Sequence, residues 1–367
     1  MAGFLRLFQR ITTPFRHKKH PLTGSTQTQP TAKTAKMPST KSLSTGPVGF
    51  GLMGMTWRAN QTSDEQAFAA MKAAVSNGAT FWSTADFYGT SDPTAGLSLV
   101  RRYFEKYPAD ASKVTLFVKG CADPKTLYPT NNRAGVRTSV DNCIRALGGA
   151  KKIDVFGPTR QDPSVPLEET IGELKSLVGE GKIGGVGLSE VGAETIKKAH
   201  AIYPLSLIEV EFSLWSTEIL TNGVAATTKS LKIPIVAYSP LGRGFLTGQL
   251  KSVKDIPEGD IRLYFDRFQP ENFDKNLELV DKLKAFAQKA GVTPAQLALA
   301  WVLANSNSGN CGTIVPIPGA TAAQRVEENT KKVTLSSGQK AELDAILNSV
   351  PISGGRYNPQ LEMTLWG

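Results

Sequence analysis

The chain has 367 residues, 40% of them hydrophobic, and a formal charge of +10. Residues 1–50 hold eight of its 42 Lys and Arg and no acid, the first acid being Asp64; beyond them, 34 basic residues face 32 acidic ones. The basic balance therefore belongs to the amino-terminal stretch, and the body has no overall field to draw nucleic acid or another polyanion. Cys121, Cys143 and Cys311 are far apart and form no CxxC, which argues against a disulfide framework and a zinc site. Histidine occurs only at 17, 20 and 200, so a Ser-His-Asp hydrolase or a His-rich metal centre is poorly supported.

The first element in chain order is MAGFLRLFQRITTPFRHKKHP, where Phe4, Leu7, Phe8 and Ile11 alternate with Arg6 and Arg10 at helical spacing ahead of a Ser/Thr-rich run. That pattern is expected of a mitochondrial transit peptide within a disordered, acid-free extension over 1–45; initiation at Met37 would instead give a cytoplasmic form. No apolar run approaches the ~18 residues that span a membrane. From residue 46 onward strand and helix signals alternate. Ser63 and Gln66 form a capping box, Phe68, Met71 and Val75 line one helical face, and Gly78 ends that helix. ATFWSTAD is a strand, followed by a helix over 94–106, the strand VTLFVK, a helix over 132–147 and the strand KIDVF. Leu167, Ile171, Leu174 and Val178 mark the next helix, IGGVGLS a strand, and a helix begins near Glu194. LIEVEFS alternates strictly, with Ile208, Val210 and Phe212 on one face and Glu209 and Glu211 on the other. A helix near 216–230, the strand IPIVAY, a long loop over 239–270, helices near 272–290 and 294–304, and the strand TIVPI complete the run.

Eight strand-helix units predict an α/β fold, a single (β/α)8 barrel over 46–367. The rival is a doubly wound dinucleotide fold, and Gly49, Gly51 and Gly54 do spell GxGxxG. No strongly apolar strand precedes that motif and no acid stands about 20 residues on, so it reads as a Gly-rich turn. In a barrel the site lies at the carboxyl ends of the strands. The residues there are Ser83, Asp86, Tyr88, Lys119, Thr159, Ser189, Glu190, Glu209 or Glu211, Tyr238, Ser239 and the turn from Pro316 to Gly319. Lysine at the end of a buried strand needs a partner or a task. Tyr88 beside it is a candidate proton donor, because an adjacent ammonium draws a phenol's pKa down from its ordinary ~10 toward working pH. Arg325 falls on the first turns of a helix whose N-terminus can accept an anion such as a cofactor phosphate.

IVAYSPLGRGFLTG, VPIPGATAAQRVEEN, KIGGVGLSE and EVEFSLWS resemble the aldo-keto reductase family in order across about 46–349, and GPVGFGLMGMTWR, FWSTADFYGTSDP and FEKYP are most similar to its fungal pyridoxal reductase branch. The resemblance implies an NADPH-dependent carbonyl reductase with Tyr88 as catalytic tyrosine and Lys119 as the lysine beside it. Ser189, Glu190 and Glu209 fall where the family binds the nicotinamide carboxamide, and Tyr238 where a ring stacks on it. Ser239, Leu241 and Gly244 fall over the pyrophosphate, and Arg325, Glu328 and Asn329 at the adenosine phosphate. Met55, Pro318, Gly319 and Thr321 are expected to border the same cofactor, and Trp57 and Thr159 the substrate. Ser83 stands where the family has the aspartate that pairs with the lysine, and Thr159 where it has a histidine. Loss of that aspartate is expected to leave more of the Lys119 charge acting on Tyr88.

The expected reaction is reduction of an aromatic aldehyde, pyridoxal first, with Tyr88 protonating the alkoxide and Lys119, Ser83 and Thr159 around it. The competing expectations are a broader aldehyde reductase, a Schiff-base aldolase using Lys119, and a cofactor-binding interaction subunit with negligible turnover. The expected partners are a small-molecule aldehyde and NADPH, with no metal, nucleic acid or membrane. A monomer is compatible with the sequence, which leaves the oligomeric state open.

Overall fold

The computed structural model describes residues 46–58 and 60–367; the expected transit peptide and Met37 lie outside them. The strands are β1 (Phe50–Gly51), β2 (Phe81–Ala85), β3 (Thr115–Gly120), β4 (Val155–Pro158), β5 (Val186–Ser189), β6 (Leu205–Glu211), β7 (Ile235–Tyr238) and β8 (Ile314–Pro316). They pair in parallel in sequence order, and a bridge from Gly51 to Gly319 joins the first strand to the segment after the last. A parallel sheet needs helical crossovers that cover its outer face. These begin with α1 (Asp64–Ser76), α2 (Ala95–Lys106), α3 (Arg133–Leu147), α4 (Leu167–Gly179), α5 (Ala193–Ile202) and α6 (Val224–Ser230). They continue with α7 (Pro270–Lys289), α8 (Pro294–Asn305), α9 (Ala323–Thr330) and α10 (Ser337–Ser349). The ends follow local chemistry. Thr293 and Gln296 cap α8 reciprocally, Asn132 accepts from the Gly135 amide at the start of α3, and Gly148 at φ 56° ends α3 in the left-handed region.

Two sequence expectations are corrected. Phe50–Gly51, within the Gly49–Gly54 motif, is the first barrel strand and not a turn. A Cβ at Gly49 would lie 2.7 Å from the Phe81 carbonyl oxygen and one at Gly51 2.8 Å from that of Ile317, so glycine serves close backbone approach between strands. The helix expected over 216–230 is broken, with a 3-10 turn at Glu218–Leu220 and then α6, because Gly223 at φ 89° cannot continue a right-handed helix.

The barrel interior is filled in layers. Phe81, Phe117, Val155, Leu207, Val236 and Ile317 form one buried apolar cluster from six strands or strand ends. Side chains two residues on point the same way. The position above this plug is therefore taken by Ser83, Lys119, Gly157, Glu209, Tyr238 and Gly319, a polar layer resting on an apolar one at the carboxyl end of the barrel.

Candidate active site

Lys119, Ser83 and Glu209 are all buried and close a triangle. The Lys119 ammonium donates to Ser83 Oγ at 2.7 Å and sits 2.9 Å from Glu209 Oε1, while the Ser83 hydroxyl donates to Glu209 Oε2 at 2.6 Å. Lys119 Nζ also lies 5.4 Å from the centroid of the buried Tyr88 ring. Burial disfavours the lysine's charge, but Glu209 and Tyr88 beside it overcome that and hold its pKa above the ordinary value. Burial raises the Tyr88 pKa; Lys119 pulls it down and Glu209 pushes it up again. The expected depression of the phenol's pKa is thus corrected, as is the idea that Ser83 leaves Lys119 without a carboxylate. Glu209 reaches across from β6 to provide one.

Trp57 stacks on Tyr88 at 5.5 Å and 24° between ring planes, and the Thr56 hydroxyl donates to the Tyr88 carbonyl at 2.6 Å. Thr159 follows β4, its hydroxyl donating to the Gly120 carbonyl at 3.2 Å. Asp86 accepts from the Ser139 hydroxyl, and its other, buried oxygen has no hydrogen-bond partner among the described residues. Burial pushes its pKa up to about 6. A carboxyl raised in the folded state favours folding below its unfolded pKa, and that contribution is lost as pH rises through the folded one. The window runs from about 4 to about 6 and is worth roughly 3 kcal/mol. Asp86→Asn is therefore expected to melt higher than the parent at pH 7.5 and no higher at pH 4; equal melting at both values would refute the account.

The remaining mouth is built from charges. Glu190, at φ 54° after β5, is fully buried, accepts the Glu211 amide at 2.8 Å and pairs with Arg356 at 2.6 Å. Glu211 pairs with Arg243 at 3.0 Å and Arg356 at 3.4 Å. Burial opposes the Glu211 charge, yet Arg243, Arg356 and Arg267 together hold its pKa below the usual carboxylate value. The Tyr357 hydroxyl bonds the Tyr238 hydroxyl at 2.7 Å, and Arg160 donates to it at 3.4 Å and to the Thr159 carbonyl at 2.7 Å. Sequence reasoning assigned no role to Arg160, Arg243, Arg356 or Tyr357. Two buried acids at neighbouring strand ends were the available signal, since such charges require cations.

The expected cofactor residues divide into two groups. Near the triangle lie Ser189, buried at the end of β5, and Tyr238, at the end of β7. Glu190 and Glu209 stand there too, each with both oxygens already partnered. The other group follows β7 and β8. Ser239 (φ 49°) and Arg243 (φ 57°) hold left-handed conformations that cost L-residues energy, with Leu241 and Gly244 (φ 92°) between and beyond them. Met55 and Pro318 are buried, the Pro318 carbonyl accepting the Gly51 amide at 3.2 Å. Gly319 is exposed and Thr321 half-buried. At α9, Arg325 is half-exposed and bonds Glu328 at 2.7 Å, while Asn329 is buried. Helix α9 has no side-chain cap from Ala322 and no acid in its first turn. First-turn amides without a side-chain cap, beside an exposed guanidinium, suit a phosphate. Among the described residues no group of His, Cys, Asp and Glu could hold a metal ion, and no helix is long and apolar enough to cross a membrane.

The aldo/keto reductase family model matches residues 47–348. The chain belongs to the aldo/keto reductase family. This aldo/keto reductase is 44% identical over 335 residues to a Schizosaccharomyces pombe protein named "Probable pyridoxal reductase 2", covering 90% of this chain and 99% of that one. It is 38% identical to another aldo-keto reductase of that yeast whose name carries NADP(+), over 85% and 91% of the two chains. The glycerol dehydrogenase of Gluconobacter oxydans shares the fold at a TM-score of 0.70 and 24% identity, over 84% and 94% of the chains. Family membership makes the chain an oxidoreductase that works with NADP(H) on aldehyde and alcohol groups.

Proposed function

We propose that this reductase converts an aromatic aldehyde, pyridoxal foremost, into its alcohol, with Tyr88 as proton donor. The observation that carries the reading is a buried phenol beside a charge-compensated ammonium at the carboxyl end of the barrel. Bound NADPH would supply the hydride. Arg325 and the uncapped amino-terminal turn of α9 would hold its phosphates, and Tyr238 would face its ring. Tyr88 keeps its proton at neutral pH because burial raises its pKa, and it gives that proton up as negative charge grows on the carbonyl oxygen. Lys119 stabilises the phenolate left behind. Trp57 supplies a flat wall for a planar substrate. The test is oxidation of NADPH by the full-length protein with pyridoxal beside aliphatic, sugar and other aromatic aldehydes. Fastest turnover with pyridoxal is expected; turnover confined to other aldehydes would discard the vitamin substrate, and none at all would discard the reductase reading.

The same site suggests what favours pyridoxal over plainer aldehydes. Among the described residues Arg160 makes its hydrogen bonds to a carbonyl and a phenol, and it forms no carboxylate pair. A guanidinium in that state suits the acidic ring hydroxyl beside the pyridoxal aldehyde. Arg160→Gln is expected to raise KM for pyridoxal by about tenfold or more, the scale of one charge-assisted hydrogen bond. KM for pyridine-4-carbaldehyde, which lacks the hydroxyl, should hardly change, and equal losses on both would remove Arg160 from substrate recognition.

A further inference from the structure

We propose that Glu209 is a positioning residue of the proton-transfer site, the carboxylate that, bridged by Ser83, neutralises Lys119 and aims it at Tyr88. The inference rests on the reductase reading above and assigns Glu209 to the lysine in place of the cofactor's carboxamide.

The hydrogen-bond inventory carries it. A carboxylate is acceptor-only, and both Glu209 oxygens are taken, one by the Lys119 ammonium at 2.9 Å and one by the Ser83 hydroxyl at 2.6 Å. A serine hydroxyl has one proton, and Ser83 spends it on Glu209 while accepting from Lys119 at 2.7 Å. Ser83 can therefore receive the ammonium only as an acceptor, which orients it. With two of its three protons directed at Ser83 and Glu209, Lys119 has one left for the side where the Tyr88 ring lies.

The barrel's layering explains why a β6 residue can do this. Glu209, Lys119 and Ser83 each stand two residues beyond a member of the apolar plug, Leu207, Phe117 and Phe81, so all three point inward at one level. Two charges and a hydroxyl, each less than one-tenth exposed above an apolar plug, have one another as partners. Glu209 opposes Lys119 in its effect on Tyr88 and raises the phenol's pKa. Removing its charge must then let Tyr88 ionise at lower pH. A residue that merely packed would not produce that shift; the carboxamide role is separated by the kinetics below.

The first test needs no cofactor. The ultraviolet phenolate signal of Tyr88, taken as the difference between the full-length protein and its Tyr88→Phe variant, is titrated in the wild-type and Glu209→Gln backgrounds. Ionisation in Glu209→Gln at a pH lower by about one unit or more is expected; an unchanged titration would overturn the proposal. The second test exchanges the charges. Glu209→Gln should lower kcat with pyridoxal about tenfold or more and bring the alkaline fall of the rate to lower pH. Ser83→Asp/Glu209→Gln, which returns one carboxylate to the lysine from β2, should recover most of kcat and the original alkaline limb, and should fold even if the single variant does not. A Glu209→Gln enzyme with the parent's pH profile and a raised KM for NADPH would give Glu209 to the carboxamide and sink the idea. If the wild-type protein reduces no aldehyde, the reductase reading fails by itself, and the titration still decides whether Glu209 governs Tyr88.

Discussion

Tyr88→Phe should lose about two to four orders of magnitude in kcat with pyridoxal, the range that general acid catalysis contributes, and keep its affinity for NADPH. The ring is retained, so its stacking on Trp57 at 5.5 Å and the Thr56 bond to its carbonyl persist, and the fold should melt where the parent does. Lys119 keeps Ser83 and Glu209, so no charge is left unpaired. The residues proposed for the cofactor phosphates lie on α9 and the loop after β7, away from the hydroxyl that is removed. The wild-type rate carries its own signature. Burial raises the Tyr88 pKa, so the proton stays on the phenol through neutrality, and reduction should be flat there and fall only in alkali. The Phe variant's residual rate should lack that alkaline fall. Stopped-flow turnover, together with fluorescence titration of NADPH, separates the two effects. A variant that turns over at the parent's rate would remove Tyr88 from the chemistry, and one that loses cofactor affinity in proportion to rate would make it a binding residue.

The barrel was legible because its signals are local. Alternation in LIEVEFS, the helix cap at Ser63 and Gln66, and strand-end positions of Tyr88 and Lys119 each depend on a few neighbouring residues. β1 looks like a turn in the sequence because two residues carry no periodicity; what defines it is the fit of Gly49 and Gly51 against the Phe81 and Ile317 carbonyls, residues far along the chain. The partner of Lys119 was missed for the same reason. Serine in place of an acid at 83 suggested a bare ammonium, while the acid that compensates it stands 126 residues away on β6, within reach only because a closed barrel brings β2, β3 and β6 to one interior level. A Glu on a strand read alone is a solvated face as readily as a buried partner.

The least legible part lies beyond residue 348, where the family match ends. After α10 the chain returns to the barrel mouth. Ser353 bonds Asn276 and Asn272, Tyr357 bonds Tyr238, and the Trp366 amide donates to the Glu190 carbonyl at 2.8 Å. Arg356 is the charge at its centre, 2% exposed at the side chain, against Glu190 and Glu211. Arg356→Ala is therefore expected to cost about 3–5 kcal/mol of stability, the range for removing one member of a buried ion pair. Glu211 would retain Arg243, but among the described residues Glu190 would keep only the Glu211 amide for its oxygens. The pH dependence follows from Glu211, whose folded pKa is depressed by its arginines against the effect of burial. A depressed carboxylate stabilises above its unfolded pKa and loses that contribution as pH falls through the folded one. Part of it goes with Arg356, so the gap between parent and variant should be widest near neutrality and narrow in acid. Arg356→Met with Glu190→Gln removes both charges and should recover much of the loss, because a buried pair is often replaceable by neutral groups of similar size. Urea unfolding at pH 7.5 and at about pH 3, below the ordinary carboxylate range, measures all three proteins. A single variant within about 1 kcal/mol of the parent at both values would mean that packing, and not this ion pair, holds the segment over the mouth.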